Sequence, residues 1–216
     1  MGSSEITIVK LGGSLAGSVR LADWLEALAR CGGRVVVVPG GGPFADVVRE
    51  AQSVMGFGDE TAHELALLAM AQYGRALAVL SPGFVVAGSS EAIRQALHAG
   101  VVPIWSPEEM VLAADMPASW DVTSDSLAVW LAGCVGAARL LLVKHGAFSD
   151  APVSAVDLAA RGVVDRAFPR YLASGGAPAF VVRADDPSAV AEAVGQDRTV
   201  GTVIVPAEAP AGWIEA

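Results

Sequence analysis

The chain has 216 residues, 53% hydrophobic and 17% charged, which fits one compact domain with a large core better than two small ones. A net charge of −9, a pI near 4.7 and no run of basic residues exclude a nucleic-acid clamp and an anionic membrane as natural partners, leaving small molecules as ligands. Mean hydropathy is +0.51, yet Glu64, Gln72, Arg75 and Arg139 interrupt the apolar stretches well short of the ~20 residues of a membrane span; the surplus is assigned to core and to a homo-oligomer interface.

The first predicted strand, residues 5–10, ends in Lys10, one of only two lysines, and runs into Leu11-Gly12-Gly13-Ser14. Such a turn offers backbone N–H groups to a phosphate and the lysine adds a mobile charge, although a snorkelling strand-end lysine beside an ordinary turn explains the same string. A helix is predicted over 19–30 and a second strand over 34–38. That strand breaks into Pro39-Gly40-Gly41-Gly42-Pro43, with Pro43 suited to the first turn of a helix over 43–54. In a parallel sheet both glycine turns lie on the carboxyl edge, where two phosphate cradles would face one another across a cleft. Neither turn is a Walker loop or a dinucleotide fingerprint, which argues against a dehydrogenase.

A helix over 61–80 follows, with His63 and Tyr73 ten residues apart, each either a ligand contact or an ordinary helix residue. Strands at 84–87 and 101–104 flank a helix at 89–99. Polar residues then crowd into Trp120-Asp121-Val122-Thr123-Ser124-Asp125-Ser126, ahead of a helix over 124–136 that Thr123 or Ser124 can cap. Asp125 is either a first-turn acid complementing the helix dipole or the acid that holds a catalytic ammonium. The strand at 139–143 leads to Lys144, either a phosphate ligand or an exposed strand end. A helix at 155–161, a strand at 179–183, a helix at 187–194 and a strand at 202–205 complete the pattern, and residues 207–216 read as a loosely held tail. Most strands are short continuous apolar runs, which read as buried parallel strands; their alternation with helices predicts an α/β three-layer αβα sandwich with a mainly parallel central sheet.

Cys31 and Cys134 lack metal-type spacing, and His63, His98 and His145 share no zinc spacing, so no metal is expected to be held by protein alone. No export signal is evident at the amino terminus, and a cytoplasmic location is expected.

Taken together, Lys10-Leu11-Gly12-Gly13-Ser14, Pro39-Gly40-Gly41-Gly42, Thr123-Ser124-Asp125-Ser126-Leu127-Ala128 and Gly201-Thr202-Val203-Ile204 resemble the amino acid kinase family across residues 5–205. The resemblance implies a single domain over 1–216 in which about 1–120 bind the phosphoryl acceptor and about 121–206 bind ATP, with Mg2+ arriving on the nucleotide. It implies that Lys10 neutralises the transferring phosphoryl group and that Gly12, Gly13 and Ser14 bind nucleotide phosphate. It further implies that Gly40, Gly41, Gly42 and His63 approach the acceptor, and that Asp125 orients Lys10. Within the family, Gly40-Gly41-Gly42-Pro43-Phe44-Ala45-Asp46, Ala62-His63-Glu64-Leu65-Ala66 and Ser119-Trp120-Asp121-Val122-Thr123-Ser124-Asp125 are similar to the kinases of methanofuran biosynthesis, which act on an aminomethylfuran-methyl phosphate. Two departures stand out. Leu142-Val143-Lys144-His145-Gly146 replaces an acidic nucleotide turn, which makes Lys144 a candidate phosphate ligand. Gly162-Val163-Val164-Asp165-Arg166 stands where relatives carry a lysine, which makes Arg166 a candidate catalytic charge. A non-catalytic binding, storage or regulatory protein on the same fold is the alternative these departures suggest.

Overall fold

The computed structural model describes residues 5–206, so the tail expected at 207–216 lies outside the described residues. Eight strands form one sheet in the order β3-β4-β2-β1-β5-β7-β8-β6. These are β1 (Thr7–Leu11), β2 (Val35–Pro39), β3 (Phe84–Ala87), β4 (Val102–Trp105), β5 (Arg139–Lys144), β6 (Val153–Ser154), β7 (Ala179–Arg183) and β8 (Thr202–Val205). The helices are α1 (Leu21–Ala29), α2 (Gly42–Met55), α3 (Asp59–Leu80), α4 (Ser90–His98), α5 (Glu108–Leu112), α6 (Ser124–Val135), α7 (Ala155–Ala160), α8 (Phe168–Ala173) and α9 (Pro187–Gly195), with a 3₁₀ turn at Gly13–Leu15.

The uninterrupted apolar wording of the central strands follows from burial on both faces. Successive side chains in a strand point to opposite sides, and here the two sides feed two cores. Ile8, Val36, Leu140, Leu142 and Val181 pack with α6, α7 and α8 through Leu127, Leu131, Leu158 and Phe168. Val9, Val35, Val37, Leu141 and Val182 pack with α1 and α9 through Trp24, Leu28, Val190 and Val194. The expected αβα sandwich is what forms.

All pairings are parallel except β7 with β8, which is antiparallel. That corrects the reading of residues 202–205 as one more buried parallel strand. Thr202 and Ile204 are buried while Val203 and Val205 are exposed, the alternation of a strand with one wet face. Among the described residues no helix is long and apolar enough to cross a membrane.

Three neighbouring strand ends define the working edge. In register, Leu11 sits beside Pro39 of β2 and Val143 of β5. Gly12, Gly40 and Lys144 therefore emerge together at the carboxyl ends of β1, β2 and β5, the edge where open α/β sheets bind ligands.

Candidate active site

Strand parity aims both lysines the same way. Lys10 shares a face with Ile8, and Lys144 with Leu140 and Leu142; this is the face covered by α6. Asp125, in the first turn of α6, meets them there. Lys10 Nζ lies 2.9 Å from Asp125 Oδ1, and Lys144 Nζ donates to Oδ2 at 2.9 Å. Oδ1 has no aligned donor, so Lys10 is held by charge contact and Lys144 by a directed hydrogen bond. The side chains of Lys10 and Asp125 are each 6% exposed and that of Lys144 15%.

Burial works against the Asp125 charge, but Lys10 and then Lys144 overcome it and hold the carboxyl down at about 2. Burial, with the Lys10 ammonium beside it, pulls Lys144 down to about 8 against the counter-pull of Asp125. Two ammoniums share this one carboxylate in a nearly dry place, with Asp165 as a further acid acting on Lys144. Their positive tips suit an anion.

The anion's floor is made of glycine. Gly40 N–H donates to Leu11 C=O at 2.8 Å, which clamps the start of the second turn onto the first. A methyl carbon on Gly13 would lie 2.6 Å from Gly42 N and 2.7 Å from Gly42 Cα, and one on Gly40 would lie 2.6 Å from Gly13 N. No side chain fits between the turns. They do not face each other across a cleft as expected; because β1 and β2 are adjacent, the turns abut and make one continuous floor. A methyl carbon on Gly12 would lie 3.7 Å from Lys10 Nζ and 3.4 Å from Ser14 Oγ, so Gly12 keeps the lysine tip uncovered. Gly42 opens α2 at φ +55°, with Pro43 in the first turn, and the amino-terminal end of a 14-residue helix is thereby brought to the floor.

Above this floor lies a cavity of about 390 Å³. Gly13, Ser14, Gly40, Gly41, Gly42 and His63 all line it, together with Thr123 and Ser124 at the start of α6. Its walls are apolar, from Ala66, Leu67, Met70 and Leu127, and its mouth carries Arg49 and Trp120. Half-burial lowers the pKa of His63, only partly countered by Glu64, which favours the neutral imidazole. Tyr73 does not reach the cavity lining; it is 4% exposed and its ring backs Gly42. At the mouth, Arg49 lies 4.4 Å from the centre of the Trp120 ring and pairs with Asp46 at 2.8 Å. Trp120 Nε1 donates to Gln52 Oε1 at 2.7 Å, and Gln52 Nε2 donates to Asp59 Oδ1 at 2.9 Å.

The sequence expectations thus sort cleanly. Lys10, Lys144 and Asp125 form one buried cluster, and Lys144 is no exposed strand end. Gly12, Gly13, Ser14, Gly40, Gly41, Gly42 and His63 surround the floor and cavity. Arg166 is the exception: its side chain is 84% exposed and lies 3.7 Å from the half-exposed Asp121, outside the cavity lining. The structure therefore does not bring Arg166 to the buried cluster with Lys10 and Asp125. Its neighbour Asp165 points inward instead. No sequence signal linked it to α6, because its Thr123 and Ser126 partners lie 39 to 42 positions away. Among the described residues, no group of three or more His, Cys, Asp or Glu side chains is arranged to hold a metal ion.

Comparison with known proteins agrees with this geometry. A (5-(aminomethyl)furan-3-yl)methyl phosphate kinase of Methanocaldococcus jannaschii is 26% identical over 211 residues, covering 92% of this chain and 97% of that one. Among solved structures, the uridylate kinase of Archaeoglobus fulgidus superposes with a TM-score of 0.68 at 20% identity, covering 93% of this chain and 100% of that chain. An isopentenyl phosphate kinase superposes with a TM-score of 0.58 at 17% identity, again covering 93% and 100%. At those identities the solved structures establish the fold. The model of the amino acid kinase family matches residues 5–147, two-thirds of the chain, and the protein belongs to the amino acid kinase family.

Proposed function

We propose that this protein is an ATP-dependent kinase that transfers the γ-phosphoryl group to a small phosphate monoester of the aminomethylfuran-methyl phosphate type. The observation that carries the reading is the pair of ammoniums held on one carboxylate at the edge of a side-chain-free floor. Phosphoryl transfer asks a protein mainly to position two anions and to neutralise the charge that develops between them. Lys10 and Lys144 supply that charge from the nucleotide side. Gly12, Gly13 and Ser14 receive the γ-phosphate through backbone N–H groups. Gly40, Gly41 and Gly42, at the amino-terminal end of α2, receive the acceptor phosphate, with neutral His63 as a hydrogen-bonding partner and Arg49 at the mouth. Because the two turns touch, attacking oxygen and phosphorus are brought close without a moving part.

On this reading residues up to about 120 serve the acceptor and about 121–206 the nucleotide. Mg2+ enters on the phosphates of ATP, since Asp125 is already engaged by two lysines. The reaction runs in the cytoplasm, where ATP is available, and the chain self-associates, which the apolar exposure of Leu68, Val79 and Leu80 on α3 supports. The lost acidic turn after β5 gave weight to a non-catalytic binding protein; Lys144, standing in that place and reaching Asp125, supplies instead a cation suited to transfer.

The test is radiolabelled γ-phosphoryl transfer from MgATP to aminomethylfuran-methyl phosphate and to a panel of other phosphate monoesters. A diphosphate product is expected, and Lys10→Ala is expected to cut turnover by roughly 10²-fold or more with the fold intact. Binding of ATP with no transfer to any acceptor, or turnover unchanged in Lys10→Ala, would overturn the reading.

A further inference from the structure

Asp165 sits in the turn between α7 and α8 and gathers five donors. Thr123 contributes its N–H at 3.0 Å and its hydroxyl at 2.9 Å, Ser126 its N–H at 3.0 Å and its hydroxyl, and Phe168 its N–H at 2.9 Å. These bonds saturate the roughly four acceptor sites of a carboxylate. They also replace a local cap, because Thr123 occupies the cap position of α6 without its side chain bonding the helix it opens. An ordinary Ser, Thr or Asn cap would satisfy the same helix end from within the segment for about 1 kcal/mol. Here a carboxylate is brought in from 42 positions away, at the cost of desolvating it.

The placement of those bonds is what matters. Thr123 and Ser126 bracket Asp125, so the carboxylate fixes the stretch of backbone that carries the acid between the two lysines. Burial and the nearby Asp125 raise the pKa of Asp165, while Asp165 in turn helps Lys144 keep its proton. The groups facing Lys144 are therefore Lys10 from β1, Asp125 from α6 and Asp165 from the turn before α8. We propose that Asp165 is a positioning residue for phosphoryl transfer, pinning the start of α6 so that Asp125 aims both ammoniums at the glycine floor. This inference rests on the kinase reading above. It means that the segment in which a catalytic cation was expected contributes the aim of two other cations instead.

The chain's two lysines make the test direct. In protein labelled with ¹⁵N-lysine, the side chains give two Nζ signals, assigned with Lys10→Arg, and the Lys144 ammonium can be titrated whether or not an acceptor is known. In Asp165→Asn the Lys144 midpoint should fall by about half a unit or more, and kcat with MgATP and aminomethylfuran-methyl phosphate should fall about tenfold or more while KM for ATP changes little. Asp165→Glu keeps the charge but displaces the helix start and Asp125 with it, so kcat should fall and the Lys144 midpoint should fall by less than in Asp165→Asn. A folded Asp165→Asn variant with wild-type Lys144 titration and wild-type kcat would overturn the inference, as would losses of turnover that merely track the folded fraction in melting curves. Should Asp165→Asn not fold, the Thr123→Val/Ser126→Ala double variant replaces it; unchanged kcat there also overturns the proposal. A wild-type protein without transfer would instead sink the kinase reading, and the lysine titration would still decide whether Asp165 holds the cluster.

Discussion

The buried cluster at the strand ends and the mouth of the cavity are built from the same kinds of charge but not in the same medium. Lys10, Asp125 and Lys144 are nearly sealed from water, whereas Arg49 is 50% exposed and Asp46, its partner, 76%. A charge pair in water is screened and contributes at most about 1 kcal/mol, while a buried pair broken on one side leaves a desolvated charge costing roughly 3–5 kcal/mol. On the proposed reading the inner cluster therefore carries the chemistry and the fold together. The mouth can be altered for acceptor choice at little expense to either.

The largest expected effect lies at the hinge of that contrast. Asp125→Asn leaves two ammoniums against one neutral amide, and each repels the other. Stability should fall by roughly 3–5 kcal/mol, read from denaturant melts, and turnover by about 10²-fold or more. If Asp125→Asn melts like the wild type, the inner cluster is no more demanding than the mouth and the comparison fails.

Acidity sharpens it next. Lys144 is held at about 8 against an ordinary value of 10.5, so its proton leaves as pH rises through about 8 and turnover should fall over that range. The fall should be absent in any Lys144→Arg variant that still turns over, because guanidinium stays charged. The linked stability change has the opposite sense: between about 8 and 10.5 the unfolded chain binds the lysine proton more tightly than the folded one, so this group adds stability as pH rises. Asp125 acts at the other end. Its folded value of about 2 lies below the ordinary 3.8, so its contribution is complete above 3.8 and is lost as pH falls through about 2. Melts in acid should show that loss in the wild type and not in Asp125→Asn.

Much of this was legible in the sequence, and particular residues show why the rest was not. Continuous apolar runs marked β1, β2, β4, β5 and β7 because burial on both faces leaves no polar face to confuse the pattern, and β3 and β8 were found by their β-branched residues although part of each is exposed. β6 has two residues, and α5 and α8 have five and six, too short for a period to emerge. The antiparallel β8 is an edge effect visible only in its wet alternate residues. Lys144 could have been placed by parity with Leu140 and Leu142, since one strand with α6 on that face must turn all three alike. The tie of Asp165 to α6 could not, because a cap delivered across 42 positions has no local spacing, and only its bond to Phe168 is local.

The smallest effect belongs to the mouth. Arg49 pairs with Asp46 and covers Trp120, yet both contacts stand half in water, where a cation over an aromatic ring is worth about 0.5–1 kcal/mol. Arg49→Ala should raise the acceptor KM several-fold, leave KM for ATP and kcat near the wild type, and shift stability by no more than about 0.5 kcal/mol. Steady-state kinetics with each substrate varied in turn separates these outcomes. A deep loss of kcat would mean that Arg49 reaches the transferring phosphoryl group, so that the boundary between mouth and inner cluster lies further out than the geometry places it. A rise in KM alone means that Arg49 binds acceptor and transition state equally, the behaviour of a group that selects without taking part in the chemistry.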